Sequence, residues 1–292
     1  MEPAEILVAG PASWNQLVHL DRLPDPRPHT TFARGHHATV GGTSAGKALN
    51  LRWLGRTVQL RTVLGTDAEG ARVRRRLESA GVDLVVTDAP DGRTERHLNL
   101  LDPDGGRVSI YLQAPDALPE QDHGAEAAAE AAALGRAVDA ARAVVVDLAV
   151  TARPVLEAAT ARGADVWVDL HDYDGASAFH QPWVDAGTHV FLSSDRMPGY
   201  RDFLRSRHDA GARLVVCTHG AGGATALTDE GFVDVPAVRV DQVVDTNGAG
   251  DGFFAGFLDA HLGGAGVDAA MRAGAEHAAR VVRSPELAPA DR

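Results

Sequence analysis

One cysteine and one lysine, Cys217 and Lys47, are all that this 292-residue chain contains of either type. A lone cysteine excludes an intrachain disulfide and fits a reducing compartment, so a cytoplasmic location is expected. No apolar run approaches the ~20 residues of a membrane span, and Met1–Glu5 lacks the basic start of a secretory signal. Positive charge is scarce as well. Twenty-eight basic against 40 acidic residues give a formal charge of −12, which argues against nucleic acid or an anionic membrane as the main partner. A small molecule is the expected ligand.

What is present is a regular alternation of strand and helix patterns. Short apolar runs at 5–10, 57–63, 82–86, 144–147, 166–169, 189–192 and 214–217 read as buried strands. Helical patterns lie between them, and the last helix is expected over 267–283. This order predicts one doubly wound, mostly parallel α/β domain over residues 1–292. Two stretches do not fit the middle of a parallel sheet. Residues 93–113 read as a hairpin of two-sided strands turning at Asp102–Gly106, and residues 16–40 hold a proline-rich loop followed by a strand over 31–40. Together they predict a small β-sheet lid. His36 and His37 point to opposite faces of such a strand, which reads as a surface or lid pair rather than a metal pair. A helix is expected over 120–142, and the tail after Ser284 is expected to be loose.

The strongest chemical signal is Asp245-Thr246-Asn247-Gly248-Ala249-Gly250-Asp251, followed by an apolar run through Leu258. Small residues at a helix N-terminus let backbone N–H groups approach an anion, and the helix dipole favours negative charge there. Asp251, in the first helical turn, is placed to accept a proton from a hydroxyl. By itself the stretch also reads as a glycine-rich loop with a capping aspartate. Upstream, Gly41-Gly42-Thr43-Ser44-Ala45-Gly46-Lys47-Ala48 nearly spells a phosphate loop, but Ala48 stands where that motif needs the hydroxyl that binds Mg²⁺. A second glycine turn, Thr218-His219-Gly220-Ala221-Gly222-Gly223, follows the strand at 214–217.

Taken together, the Gly41-Gly42 segment running to Leu54-Gly55, the Thr218-x-Gly220-x-x-Gly223 turn and Asp245–Asp251 resemble the ribokinase-like (PfkB) carbohydrate kinase family over residues 5–284. The resemblance implies a large α/β domain with a β lid, ATP with Mg²⁺ as donor, and phosphorylation of a sugar-like alcohol. It implies Asp251 as base, Gly248, Ala249 and Gly250 as anion hole, and Thr218, Gly220 and Gly223 along the nucleotide. Asn15, Gly41, Gly42 and Lys47 would face substrate, Asp245 and Thr246 a monovalent cation such as K⁺, and a homodimer would form through the lid. Three departures stand out. Asn15 replaces the usual aspartate after the first strand, Gly46 replaces an asparagine, and Ser194-Asp195-Arg196-Met197 replaces Asn-x-x-Glu. Asp195 is the carboxylate nearest the missing metal position, or a solvated helix cap. Lys47 is expected either against an anionic or carbonyl-bearing substrate or exposed in the first helical turn. Alternatives kept open are a nucleoside kinase of the same fold, a ligand-binding homologue with weakened catalysis, and a phosphate-loop enzyme using Lys47.

Overall fold

The computed structural model describes residues 4–103, 105–114 and 125–290. The expected buried strands pair in one sheet, in the order β13 (Gly231–Val235), β12 (Ala224–Thr228), β11 (Leu214–Thr218), β10 (His189–Ser193), β9 (Val166–Asp169), β8 (Ala143–Val146), β1 (Ile6–Ala9), β4 (Val58–Leu64), β5 (Asp83–Asp88). From β11 through β5 the pairing is parallel, and β12 and β13 extend it antiparallel. Strands β1, β8 and β9 are buried along their whole length, so alternate residues feed a core on each face. Ile6, Val8, Val145, Trp167 and Phe191 pack with helices α1 (Thr43–Trp53), α2 (Ala68–Ser79), α7 (Ala249–Leu262) and α8 (Val267–Val281). On the opposite face Leu7, Ala9, Val144, Val146 and Val168 pack with α3 (Ala125–Ala140), α4 (Arg153–Ala161), α5 (Gln181–Ala186) and α6 (Tyr200–Asp209).

Helix α7 is anchored most firmly. Phe254 meets Phe191 at 4.6 Å between ring centroids, and both Phe254 and Phe257 lie 6.2 Å from Trp167. Each such buried ring stabilises by about 2–3 kcal/mol. Gly252 and Gly256 let α8 approach closely, since a Cβ at either would strike Val281 or His277. The apolar run after Asp251 therefore fixes the direction of the helix that carries it.

The lid is a second sheet, ordered β3 (Gly35–Gly41), β2 (Ser13–His19), β6 (Arg96–Leu101), β7 (Arg107–Gln113). It departs from expectation at two places. Strand β2 begins at Ser13, before the loop expected there, because its inward positions Ser13 and Asn15 are polar and hide the burial alternation that the structure shows. Residues 31–34 lie outside β3, with Phe32 83% exposed. The start of the helix expected over 120–142 falls at residues 120–124, outside the described residues.

As far as Ala288 the tail after Ser284 is packed rather than loose. Ser284, Leu287 and Ala288 are buried against the core beneath the lid. Buried Asn50 needs acceptors for its amide, and it donates to the Leu287 carbonyl at 2.7 Å and the Gly46 carbonyl at 2.8 Å.

Candidate active site

Parallel strands finish on one side of the sheet, and that side collects the polar groups. Asp147 follows β8, Asp169 ends β9, Ser194 follows β10 and Thr218 ends β11. Ligands of open α/β sheets bind beyond these ends.

The chain enters α7 through Asp245–Gly248. Gly248 is the N-cap, with φ of 81°, and a Cβ there would press on Leu287, so glycine is required. Gly250 has open space around its Cα instead. Ala249 N–H donates to the Thr246 carbonyl at 3.3 Å, while the N–H groups of Gly248, Gly250 and Asp251 have no partner among the described residues. These are the free donors of a helix N-terminus. The β6–β7 turn comes over this loop: a Cβ at Gly105 would sit 3.8 Å from the Thr246 methyl.

Asp251 is 8% exposed and faces the ammonium of Lys47 at 2.9 Å. Lys47 is wholly buried; its Nζ donates to Asp251 Oδ1 and lies in ion-pair distance of Asp147 Oδ1 at 3.0 Å and Asp169 Oδ2 at 3.1 Å. Both placements expected of Lys47 are corrected. It is neither exposed in the first turn nor free to meet a substrate, because its ammonium is buried among these three carboxylates, with the Phe254 ring 5.1 Å below. A chain with no other lysine keeps one inside the core.

The cluster is braced on every side. Ser44 Oγ donates to Asp147 Oδ2 at 2.7 Å, and His171 N–H donates to Asp169 Oδ1 at 3.0 Å from a backbone at φ 51°. Burial would lower the Lys47 ammonium, but Asp147, Asp251 and Asp169 overcome it and hold its pKa well above the usual value. Burial pushes Asp251 up to about 6, with Asp147 adding to it and Lys47 opposing. Asp169 goes the other way, to about 2: burial is overcome by His171, Lys47 and the His171 N–H. A carboxylate poised near neutrality beside free N–H donors suits proton abstraction.

Gly46 becomes intelligible here. A Cβ at this position would run into Asp251 Oδ2, so the glycine and the neighbouring lysine form one arrangement in which Asp251 leans onto the ammonium.

On the substrate side, Asn15 is 4% exposed and accepts a hydrogen bond from Ser13 Oγ at 2.8 Å. A Cβ on Gly41 would strike its amide, and one on Gly42, at φ 90°, would strike the Pro11 carbonyl. The structure thus brings Asn15, Gly41 and Gly42 together at the hinge between lid and body. His97 and Tyr111, with rings 4.0 Å apart, lie on the same lid face as Asn15.

At the other end, Thr218 Oγ1 donates to the Leu192 carbonyl at 3.3 Å, and Gly220 opens a short turn closed by Gly223 at φ 96°. The turn is held from behind. Thr225 Oγ1 donates to Asp234 and lies 3.0 Å from His219 Nε2, while His219 Nδ1 meets Ser194 Oγ at 3.0 Å. In the Asn-x-x-Glu position, Met197 is buried in the core and offers no metal ligand. Asp195 is exposed, and among the described residues its carboxylate has no partner.

Asp147 and Asp169 were not read from the sequence as partners of Lys47. The available signal was a lone lysine four residues after the start of a helix, together with carboxylates at two strand ends.

A profile of the pfkB family carbohydrate kinases matches residues 14–181 and 191–291. The chain is 32% identical over 279 residues to acarbose 7(IV)-phosphotransferase of Actinoplanes sp., covering 94% of this chain and 90% of the relative. It is 30% identical to the ATP-dependent ribose-1-phosphate kinase of Halopiger xanaduensis, covering 91% and 88%. Among solved structures it resembles microbiome-derived acarbose kinase Mak1, with a TM-score of 0.82, 28% identity and coverage of 97% and 93%. The ribokinase of Arabidopsis thaliana, complexed with ribose and ATP, shares the fold at a TM-score of 0.76 and 22% identity, with coverage of 99% and 96%. By its profile match, its relatives and its ribokinase-like sheet with a separate lid, the chain belongs to the pfkB family of carbohydrate kinases.

Proposed function

We propose that this kinase transfers the γ-phosphoryl group of ATP to a hydroxyl of an uncharged, sugar-like molecule held between the lid and Asp251. The observation that carries the reading is the juxtaposition of a buried, Lys47-held carboxylate with the free N–H groups of Gly248 and Gly250. In this reading Asp251 accepts the proton of the attacking hydroxyl, and the helix N-terminus stabilises charge on the transferring phosphoryl oxygens. Asn15 orients substrate hydroxyls, and the turn from Thr218 to Gly223 follows the nucleotide. Three carboxylates against one ammonium leave the floor of the pocket negative, which disfavours an anionic substrate.

Ribokinase-family enzymes use ATP with Mg²⁺. Of the motif residues, Asp195 fits the metal by donor type and exposure, and Met197 does not. A bound Mg²⁺ supplies charge neutralisation at the phosphates.

A homodimer through the lid is supported by Val108 and Ile110, which are 41% and 42% exposed on the outer face of edge strand β7. Sedimentation of an Ile110→Glu variant as monomer against a wild-type dimer would support it. No described helix is long and apolar enough to cross a membrane.

The test is Mg²⁺-dependent ADP release across neutral monosaccharides, oligosaccharides, nucleosides and sugar phosphates. Turnover with a neutral saccharide is expected. Ligand binding without ADP release would favour a catalytically weakened homologue, and preference for a nucleoside or sugar phosphate would overturn the substrate class.

A further inference from the structure

Two lid histidines share a face with a buried carboxylate of the body. His19 ends β2 and His37 lies on β3, diagonal to it across the strand pair. Their rings stack at 5.6 Å between centroids, and Asp245 reaches them from the loop before α7. One donor atom from each of His19, His37 and Asp245 lies within 4.8 Å of the others.

Independent details also point to an ion. Asp245 is 5% exposed. Its Oδ1 accepts the Asn247 N–H at 2.7 Å, and its Oδ2, though buried, has no hydrogen-bond partner among the described residues. A buried carboxylate oxygen left unpaired is costly. His37 Nε2 lies 3.1 Å from the Pro285 carbonyl; donating there, the neutral ring keeps its lone pair on Nδ1. Metal-binding imidazoles are commonly oriented by such a bond to a backbone carbonyl. Arg107 is the other cation acting on the Asp245 carboxyl, and the described residues form no ion pair with Asp245.

We propose that His19, His37 and Asp245 form a site for a divalent transition-metal ion of the Zn²⁺ class, which latches the lid to the phosphoryl-transfer loop. An alkali ion prefers oxygen ligands, whereas two imidazoles and a carboxylate suit a borderline metal. Three protein ligands leave a fourth position for water. His36, on the opposite face of β3, takes no part; it meets Gln16 on that side. The second candidate cluster, Asp147, Asp169 and His171, already holds an internal cation, the Lys47 ammonium.

The test is Zn²⁺ titration of metal-stripped full-length protein by calorimetry, with His19→Gln, His37→Gln and His36→Gln variants. One equivalent is expected in wild type and His36→Gln, with at least tenfold weaker binding in His19→Gln and His37→Gln. Equal binding in all four proteins, or none in wild type, would overturn the site. Melting in EDTA reports whether the variants fold, and anomalous diffraction from Zn²⁺-soaked wild-type crystals gives an answer without them: a peak at the three residues supports the site, and peaks only elsewhere refute it. The latch has its own readout. Stoichiometric Zn²⁺ should slow turnover several-fold in wild type and leave His37→Gln unchanged, whereas full wild-type activity with the metal bound would overturn the latch. Phosphoryl transfer without added Zn²⁺ is unaffected by either result, so this inference and the proposed reaction fail separately.

Discussion

Replacing Lys47 by methionine keeps the length of the side chain and removes the charge that three buried carboxylates share. At contacts of 2.9–3.1 Å, each pair is worth about 5–6 kcal/mol in gross Coulomb energy at an effective dielectric of about 20. Most of that gross figure offsets desolvation, so the net cost is better taken from buried pairs that have lost one partner, about 3–5 kcal/mol. That is a large part of a typical domain stability of about 5–15 kcal/mol. The pH dependence gives the cause. Without the ammonium, the buried carboxyls of Asp169 and Asp251 lose a cation that favours their ionised form, so their folded pKa values move up from those of the wild type. A raised carboxyl contributes stability that is fully present below about pH 4 and lost as pH rises through its folded pKa. In the wild type Asp251, at about 6, behaves in this sense, whereas Asp169, at about 2, contributes stability above about pH 4 that is lost only as pH falls through its folded value. The deficit of Lys47→Met relative to wild type should therefore be largest at pH 7.5 and narrow towards pH 5. Urea unfolding at both pH values measures it. A deficit below about 1 kcal/mol, or one that widens on acidification, would refute the account of the cluster.

Wild-type kcat/KM should fall about tenfold per pH unit below about 6, as Asp251 is protonated, and Lys47→Gln should move this limb upward by at least about one unit. An unmoved limb would detach Lys47 from the base. Gly46→Ala drives a methyl into Asp251 Oδ2, so kcat should drop by at least about tenfold and stability by about 1–3 kcal/mol, read by steady-state kinetics and urea melts. Gly248→Ala forces φ of 81° on a residue with a Cβ beside Leu287, and should cost about 1–3 kcal/mol together with most of the activity.

The alternating strands and helices, the lid hairpin and the glycine-rich start of α7 were legible because each rests on local pattern: apolar runs, turn residues and small residues before an apolar helix. Strand β2 was hidden because Ser13 and Asn15 are buried polar residues, and hydrophobic periodicity does not register them. The packed tail was hidden because its partner, Asn50, lies 237 positions away from Leu287. Lys47 misleads for a related reason. Lysine in a first helical turn is ordinarily solvated, and only the sheet topology reveals that Asp147, Asp169 and Asp251, from three separate elements, converge on it. Likewise His37 was read against its sequence neighbour His36, while its spatial neighbour is His19 on the adjacent strand.

The central claim, that Asp251 is the base of a phosphoryl transfer, is tested most directly by Asp251→Asn in single-turnover experiments with ATP, Mg²⁺ and the saccharide found by the ADP-release screen. The account predicts a rate constant lower by about 10²–10⁴, with saccharide affinity retained. It also predicts a stability close to wild type, since Asp147 and Asp169 still compensate Lys47. A rate within tenfold of wild type would contradict it.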